Sequence, residues 1–143
     1  MNSELESSFV AIKPDGYRRR LVGEVISRLE SVGLELIGIR TMLVTADLAE
    51  RHYGEHQGKP FFGSLVEFIC SGPIVAMAWR GPQAIKLIRK LVGATNPLEA
   101  NPGTIRGDFA KEVSENIIHA SDSISSAERE LAIFFPNGVD LLI

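Results

Sequence analysis

The chain has 143 residues, 45% of them hydrophobic and 23% charged, with a formal net charge of −3. That length holds one well-buried domain, expected to span 1–143, and the charge excludes broad nucleic-acid binding while leaving room for a local basic pocket. A single cysteine, Cys70, excludes an internal disulfide, and with no signal peptide or bilayer-length apolar run the expectation is a soluble, cytoplasmic protein without a membrane partner.

Residues 1–7 are polar and expected to be loose. Phe9-Val10-Ala11-Ile12 reads as a strand core stopped by Lys13-Pro14-Asp15-Gly16, a strong turn sequence. Leu21, Val22, Val25, Ile26, Leu29 and Val32 then recur at helical spacing, and Gly33 supplies the stop. A β-leaning run covers 34–44, and Thr45 is placed to cap a helix that carries Leu48, His52, Tyr53 and His56. Lys59-Pro60 breaks it, and Phe61-Phe62-Gly63 opens a second short helix through Leu65, Phe68 and Ile69. Gly72-Pro73 precedes a strand from Ile74 to Trp79, and Gly81-Pro82 is read as opening a helix with the stripe Ala84, Ile85, Ile88, Leu91 and Val92.

From Gly93 to Val113 neither period shows. A stretch of about 20 residues without regular structure is uncommon in a compact domain and is usually functional. Its apolar residues and the embedded Arg106 predict a long ordered loop at about 94–113.

The order β-α-β-αα-β-α-loop-β-α, stripped of its helical insertion, leaves two β-α-β halves. That is the pattern of an α+β, ferredoxin-like βαββαβ sandwich, a four-stranded antiparallel sheet with one helical layer. A doubly wound parallel sheet is the rival.

The richest chemistry lies in Asn116-Ile-Ile-His-Ala-Ser-Asp-Ser123. Ile117 and Ile118 lead as a strand into His119, and Ser123–Phe135 reads as a helix with Ile124, Ala127, Leu131 and Phe134 on one face. Asp122 or Ser123 would cap it, placing His119 beside a helix start that favours an anion. Lys13, Arg89 and Arg106 are cations beside a strand end, an apolar stripe and a glycine, a set that phosphate would explain. Phe61, at a helix entrance, could stack on a base. Glu130 sits near the buried face between Ala127 and Phe134, where a carboxylate wants a partner such as an imidazole. Glycine-rich phosphate loops and dinucleotide fingerprints are missing from the sequence.

Asn116-Ile-Ile-His-Ala-Ser-Asp122 resembles the Asn-x-x-His-Gly-Ser-Asp signature of nucleoside diphosphate kinases. Lys13-Pro-Asp-Gly16, Leu21-Val-Gly-Glu24, Arg51-His-Tyr53, Pro60-Phe-Phe62, Ser71-Gly-Pro73, Thr95-Asn-Pro97 and Pro102-Gly-Thr-Ile-Arg-Gly-Asp108 resemble that family's blocks in the same order. The resemblance implies transfer of the γ-phosphoryl of a nucleoside triphosphate such as ATP to a nucleoside diphosphate, by a ping-pong mechanism through a phosphohistidine at His119. It matches Lys13, Tyr53, Arg89, Thr95, Arg106 and Asn116 to phosphate and ribose binding. Phe61 matches the base-stacking ring, Glu130 the carboxylate that holds the imidazole, and Ser121 the serine beside it. Mg²⁺ is implied as a cation bridging the nucleotide phosphates, with no protein residue as its ligand.

Three departures stand out. Ala120 replaces the family's usual glycine, and at a position with positive φ it would cost of order 1 kcal/mol or more. Tyr17-Arg-Arg-Arg20 replaces a less basic stretch that usually contains glycine. The chain ends at Ile143, without the longer tail of many members, so a homo-oligomer is expected but either a hexamer or a tetramer. Ala120 supports a rival reading, a nucleotide sensor without turnover. A third, an RNA-binding sheet, fails on its aromatics, since Phe9 and Trp79 are the only ones in the predicted strands.

Overall fold

The structure, a computed structural model, describes residues 5–141. Residues 1–4 of the predicted loose start lie outside them, and 5–7 are not loose: they extend the first strand, β1, which runs Leu5–Ile12. The Lys13–Gly16 turn is tighter still, becoming the one-turn helix α1, Pro14–Arg18, because Pro14 at its first position brings a helical φ and needs no partner for an N–H. Helix α2, Val22–Ser31, and strand β2, Glu35–Met42, follow as predicted. Thr45 does cap α3, Ala46–His52, its hydroxyl accepting from the Leu48 N–H at 3.2 Å. Helix α4 is Phe62–Ile69.

Strand β3, Ile74–Pro82, absorbs Gly81-Pro82 instead of ending before them. Helix α5, Ala84–Val92, starts after Gln83, which takes the left-handed step at φ 53°. The 94–113 stretch is ordered, though less loop-like than its sequence: it holds a 3₁₀ turn at Pro97–Glu99 and helix α6, Ile105–Phe109, capped by Thr104. Strand β4 is Ile118–Ala120, and α7 is Ile124–Phe134, capped by Ser123 with its hydroxyl 3.1 Å from the Ser126 N–H.

The sheet order is β2-β3-β1-β4, every neighbour antiparallel, which is the ferredoxin-like arrangement. One correction concerns its layers: helices cover both faces. Val10, Ile12, Val75, Met77 and Trp79 pack on α2 and α5, while Phe9, Ala11, Ile74, Ala76 and Ala78 pack on α3, α4 and α7. Central strands β1 and β3 are apolar on consecutive residues, and a strand buried on both faces requires that. Phe9 and Trp79 are fully buried, so neither is offered to a nucleic-acid base.

The period-2 alternation of β4 sorts its three side chains. Ile118 and Ala120 join the α2/α5 core, and His119, opposite Ala11, points to the α7 side.

Candidate active site

His119 is partly exposed, and its Nε2 lies 2.9 Å from Glu130 Oε2. Glu130 projects from the second turn of α7 onto β4 and is only 3% exposed. An ionised carboxylate only accepts hydrogen bonds, so Nε2 carries the proton and Nδ1 keeps its lone pair. The other Glu130 oxygen accepts from Ser121 Oγ at 2.7 Å, and that hydroxyl in turn accepts from the Phe9 N–H at 3.1 Å. Ser121 therefore reaches the imidazole only through Glu130.

Lys13 ends β1 beside this histidine and donates from Nζ to Asn116 Oδ1 at 2.9 Å. Asn116 passes the link on, its Nδ2 donating to the Thr95 carbonyl at 3.0 Å. Burial, then the nearby Arg106, holds Lys13 down at about 8, with Asp15 pulling the other way. Arg106 is 4% exposed and donates to the carbonyls of Asn116 (3.4 Å), Gly93 (3.1 Å) and Ile118 (2.6 Å). Two of its five N–H groups remain for a ligand. Burial and the neighbouring Arg89 lower its pKa to about 10. Arg89 donates to the Ala120 carbonyl at 3.2 Å and lines a small cavity with His119.

A larger cleft of about 1000 Å³ opens between α4 and the 113–115 segment, with Lys13, Tyr53, Phe61 and His119 in its wall. Phe61 is 46% exposed, a face available for stacking. Burial raises the Tyr53 phenol to about 12, with Cys70 and Glu130 adding to it, so it stays a neutral donor. Ser64, Glu67 and Glu115 line the same cleft, polar side chains that the sequence did not place near Phe61.

The predicted residues thus divide. Lys13, Tyr53, Phe61 and His119 share the cleft wall, Arg89 the adjoining cavity, and Glu130 supports both from beneath. Arg106, Asn116 and Ser121 are buried and mostly engaged with backbone or side chains, and Thr95 contributes a carbonyl through its exposed position. The expected strain at Ala120 is absent: positive φ falls at Ile117, at 76°, three residues earlier.

Sequence reasoning passed over two residues. His52 appeared only as part of a helix face, yet its buried ring stands edge-on to His119, centroids 4.7 Å apart, and burial followed by the His119 charge drops its pKa to about 2. Asp15 was read as a turn residue but is 3% exposed and accepts from the Ile117 N–H at 3.0 Å. An acidic residue two positions after a strand-end lysine was the available hint.

The only group with metal-ligand spacing among the described residues is His52, His119 and Glu130. Two imidazoles and a carboxylate already bonded through both oxygens do not suit Mg²⁺, which prefers free oxygen ligands.

Comparison with known proteins points the same way. The family model described as nucleoside diphosphate kinase matches residues 6–139. A nucleoside diphosphate kinase of Symbiobacterium thermophilum is 58% identical over 131 residues, covering 92% of this chain and 87% of that protein. One from Archaeoglobus fulgidus is 56% identical over the same shares. Among solved structures, the Halobacterium salinarum nucleoside diphosphate kinase in complex with CDP superposes with TM-score 0.90 at 47% identity, covering 92% of this chain and 88% of that one. The Babesia bovis family protein gives 0.92 at 45%, covering 96% and 94%. A match of this length and identity leaves one assignment: the chain belongs to the nucleoside diphosphate kinase family and is an enzyme of that activity.

Proposed function

We propose that the transfer runs in two steps through a phosphohistidine at His119. The supporting observation is the Glu130 contact at Nε2, 2.9 Å long, which leaves Nδ1 of a ring that lines the cleft as the available nucleophile. In the first step the Nδ1 lone pair forms a bond to the γ-phosphorus of a nucleoside triphosphate. The bond to the bridging oxygen breaks, and a nucleoside diphosphate leaves with those electrons. In the second, a terminal phosphate oxygen of another nucleoside diphosphate attacks and the P–N bond breaks. Glu130 steadies the positive charge that the imidazole gains at each transfer. Lys13, Arg89 and the free N–H groups of Arg106 compensate the spread phosphoryl charge, the main requirement of such a transition state. No residue of this chain would hold Mg²⁺; brought in with the nucleotide, it would supply further neutralisation of phosphate charge.

Phe61 provides the stacking face for the base. Stacking contributes ~1–3 kcal/mol and tolerates any base, so specificity constants for ADP, GDP, CDP and dTDP should lie within roughly tenfold to a hundredfold. A difference of about 10⁴ for one base would mean that Ser64, Glu67 or Glu115 reads its edge.

The deciding experiment supplies ATP and Mg²⁺ without an acceptor. One phosphoryl group per subunit, labile to acid and stable to base, is expected, and a nucleoside diphosphate should discharge it. His119→Ala should abolish both steps. An acid-stable label on that variant would overturn the histidine reading in favour of a serine, and a protein that takes no label would be a sensor. Glu130→Ala should slow labelling ~10²-fold, about 2.7 kcal/mol, with nucleotide binding nearly intact.

The reading extends to a homo-oligomer, hexamer or tetramer, with the 94–113 stretch near subunit contacts. Leu98 and Val113, 83% and 52% exposed, give that stretch an apolar surface for association to cover. Light scattering that finds only monomer at micromolar concentration would refute it. A cytoplasmic location fits the lone Cys70, and no helix among the described residues is long and apolar enough to cross a membrane.

A further inference from the structure

Ile117 takes φ 76° in a fully buried position two residues before His119. For a β-branched side chain this left-handed step is an outlier costing roughly 1–3 kcal/mol, sustained only where the surroundings over-determine it. Those surroundings can be named. The Ile117 N–H donates to Asp15 Oδ2 at 3.0 Å, and its carbonyl accepts from the Lys13 N–H at 2.8 Å. On either side, Arg106 holds the carbonyls of Asn116 and Ile118. Gly16 closes the remaining side, since a Cβ there would come 2.9 Å from Ile117 Cγ2 and 3.0 Å from its carbonyl oxygen.

Every backbone polar group of the strained residue is thus fixed by the 13–16 segment. Two of that segment's contacts use backbone or a missing side chain; the third needs a carboxylate. Asp15 is almost wholly buried, and its second oxygen, Oδ1, has no protein donor. A buried carboxylate with half its capacity spent on one amide is an expensive way to stabilise a turn, which directs attention to what that amide controls. Chain direction at Ile117 sets the entry into β4, and β4 is only three residues long with His119 at its centre.

We propose that Asp15 is a positioning residue for phosphoryl transfer: by gripping the Ile117 amide it pins the left-handed step that aims the His119 ring at the cleft. It has a second effect on Lys13. That ammonium faces Arg106 from α6 and the neutral Asn116, and Asp15 is the acidic group that favours its charged form. The proposal rests on His119 being the phosphorylated residue.

The test compares Asp15→Ala, which removes the acceptor, with Asp15→Asn, which keeps an acceptor oxygen of the same shape without the charge. Misaiming by a fraction of an ångström costs ~10–100-fold, so Asp15→Ala should lose that much kcat while KM for the nucleoside diphosphate stays within about threefold. The count of sites that accept phosphate from ATP should remain one per subunit, with slower filling. Asp15→Asn should regain roughly tenfold of the loss, and its activity should fall away at lower pH than in the parent, because Lys13 has lost its negative neighbour. Gly16→Ala, which crowds Ile117 and leaves Asp15 in place, should reproduce the kcat loss, and it carries the test if Asp15→Ala fails to fold. Parental kcat in Asp15→Ala and Gly16→Ala, a loss confined to KM, a site count that falls in step with kcat, or no recovery in Asp15→Asn would each overturn the proposal. Absence of an acid-labile label in the unmodified protein would instead sink the His119 reading, whatever the variants do.

Discussion

Ser121 and Glu130 meet in a fully enclosed hydrogen bond, hydroxyl to Oε1 at 2.7 Å. A serine so placed serves the carboxylate rather than the phosphate. Ser121→Ala leaves Oε1 buried without that donor, which should cost ~1–3 kcal/mol of stability. The label should still form on the histidine at one per subunit. Urea unfolding checks the first part; complete loss of labelling would contradict the second.

His52 makes stability depend on acid. The buried, neutral ring titrates at about 2 when folded and at 6.5 when unfolded. Between those values the unfolded chain binds the extra proton, so folding weakens as pH falls below 6.5, by up to ~1.4 kcal/mol per pH unit from this group. His52→Phe keeps the packing against Phe9 and Phe134 and should flatten the slope between pH 6.5 and 4.5. Equal slopes in the two proteins would show that His52 is not held neutral.

Lys13 sets an alkaline limit. With its ammonium titrating at about 8, kcat/KM should decline as pH rises through that value, since the deprotonated amine no longer offsets phosphate charge. Lys13→Arg should be slower at neutral pH, because the two cations differ in shape, yet lose the limb near 8. A limb unmoved by this change belongs to another group.

Arg20 occupies a left-handed step at φ 62°, a conformation that favours glycine. Its side chain is exposed, so Arg20→Gly should remove strain without losing packing and stabilise the fold by about 1 kcal/mol. A lower urea midpoint would show that the arginine side chain contributes more than its backbone costs.

Much of this was legible in the residues, for physical reasons. Thr45 and Ser123 announced their helices because capping is local chemistry. The helical period of α2 and α5 survived because one face of each is buried. The second helical layer was less visible: it depends on β1 and β3 being buried on both faces, and a short apolar run does not say which neighbours cover it. Gly81-Pro82 misled because proline fits the end of a strand as well as the start of a helix. Ile124, assigned to the buried stripe of α7, is 56% exposed, its place beneath the sheet taken by Glu130 and Ile133. Strain was sought at Ala120, where glycine would be usual, but landed on Ile117, whose β-branched side chain argues against it. Only tertiary contacts, such as the Asp15–Ile117 bond across 102 residues, could impose that.

Arg106 ties Gly93, Asn116 and Ile118 together, and beside it Gly107 presses its backbone so close to the Asn101 carbonyl that a Cβ would collide. Surface connections ordinarily absorb added or deleted residues with little harm. This one is fastened through Arg106 to β4, the strand that carries His119, so a single inserted residue between 94 and 113 would shift that histidine's own backbone. Variation in length, tolerated at most loop tips, should therefore be poorly tolerated here.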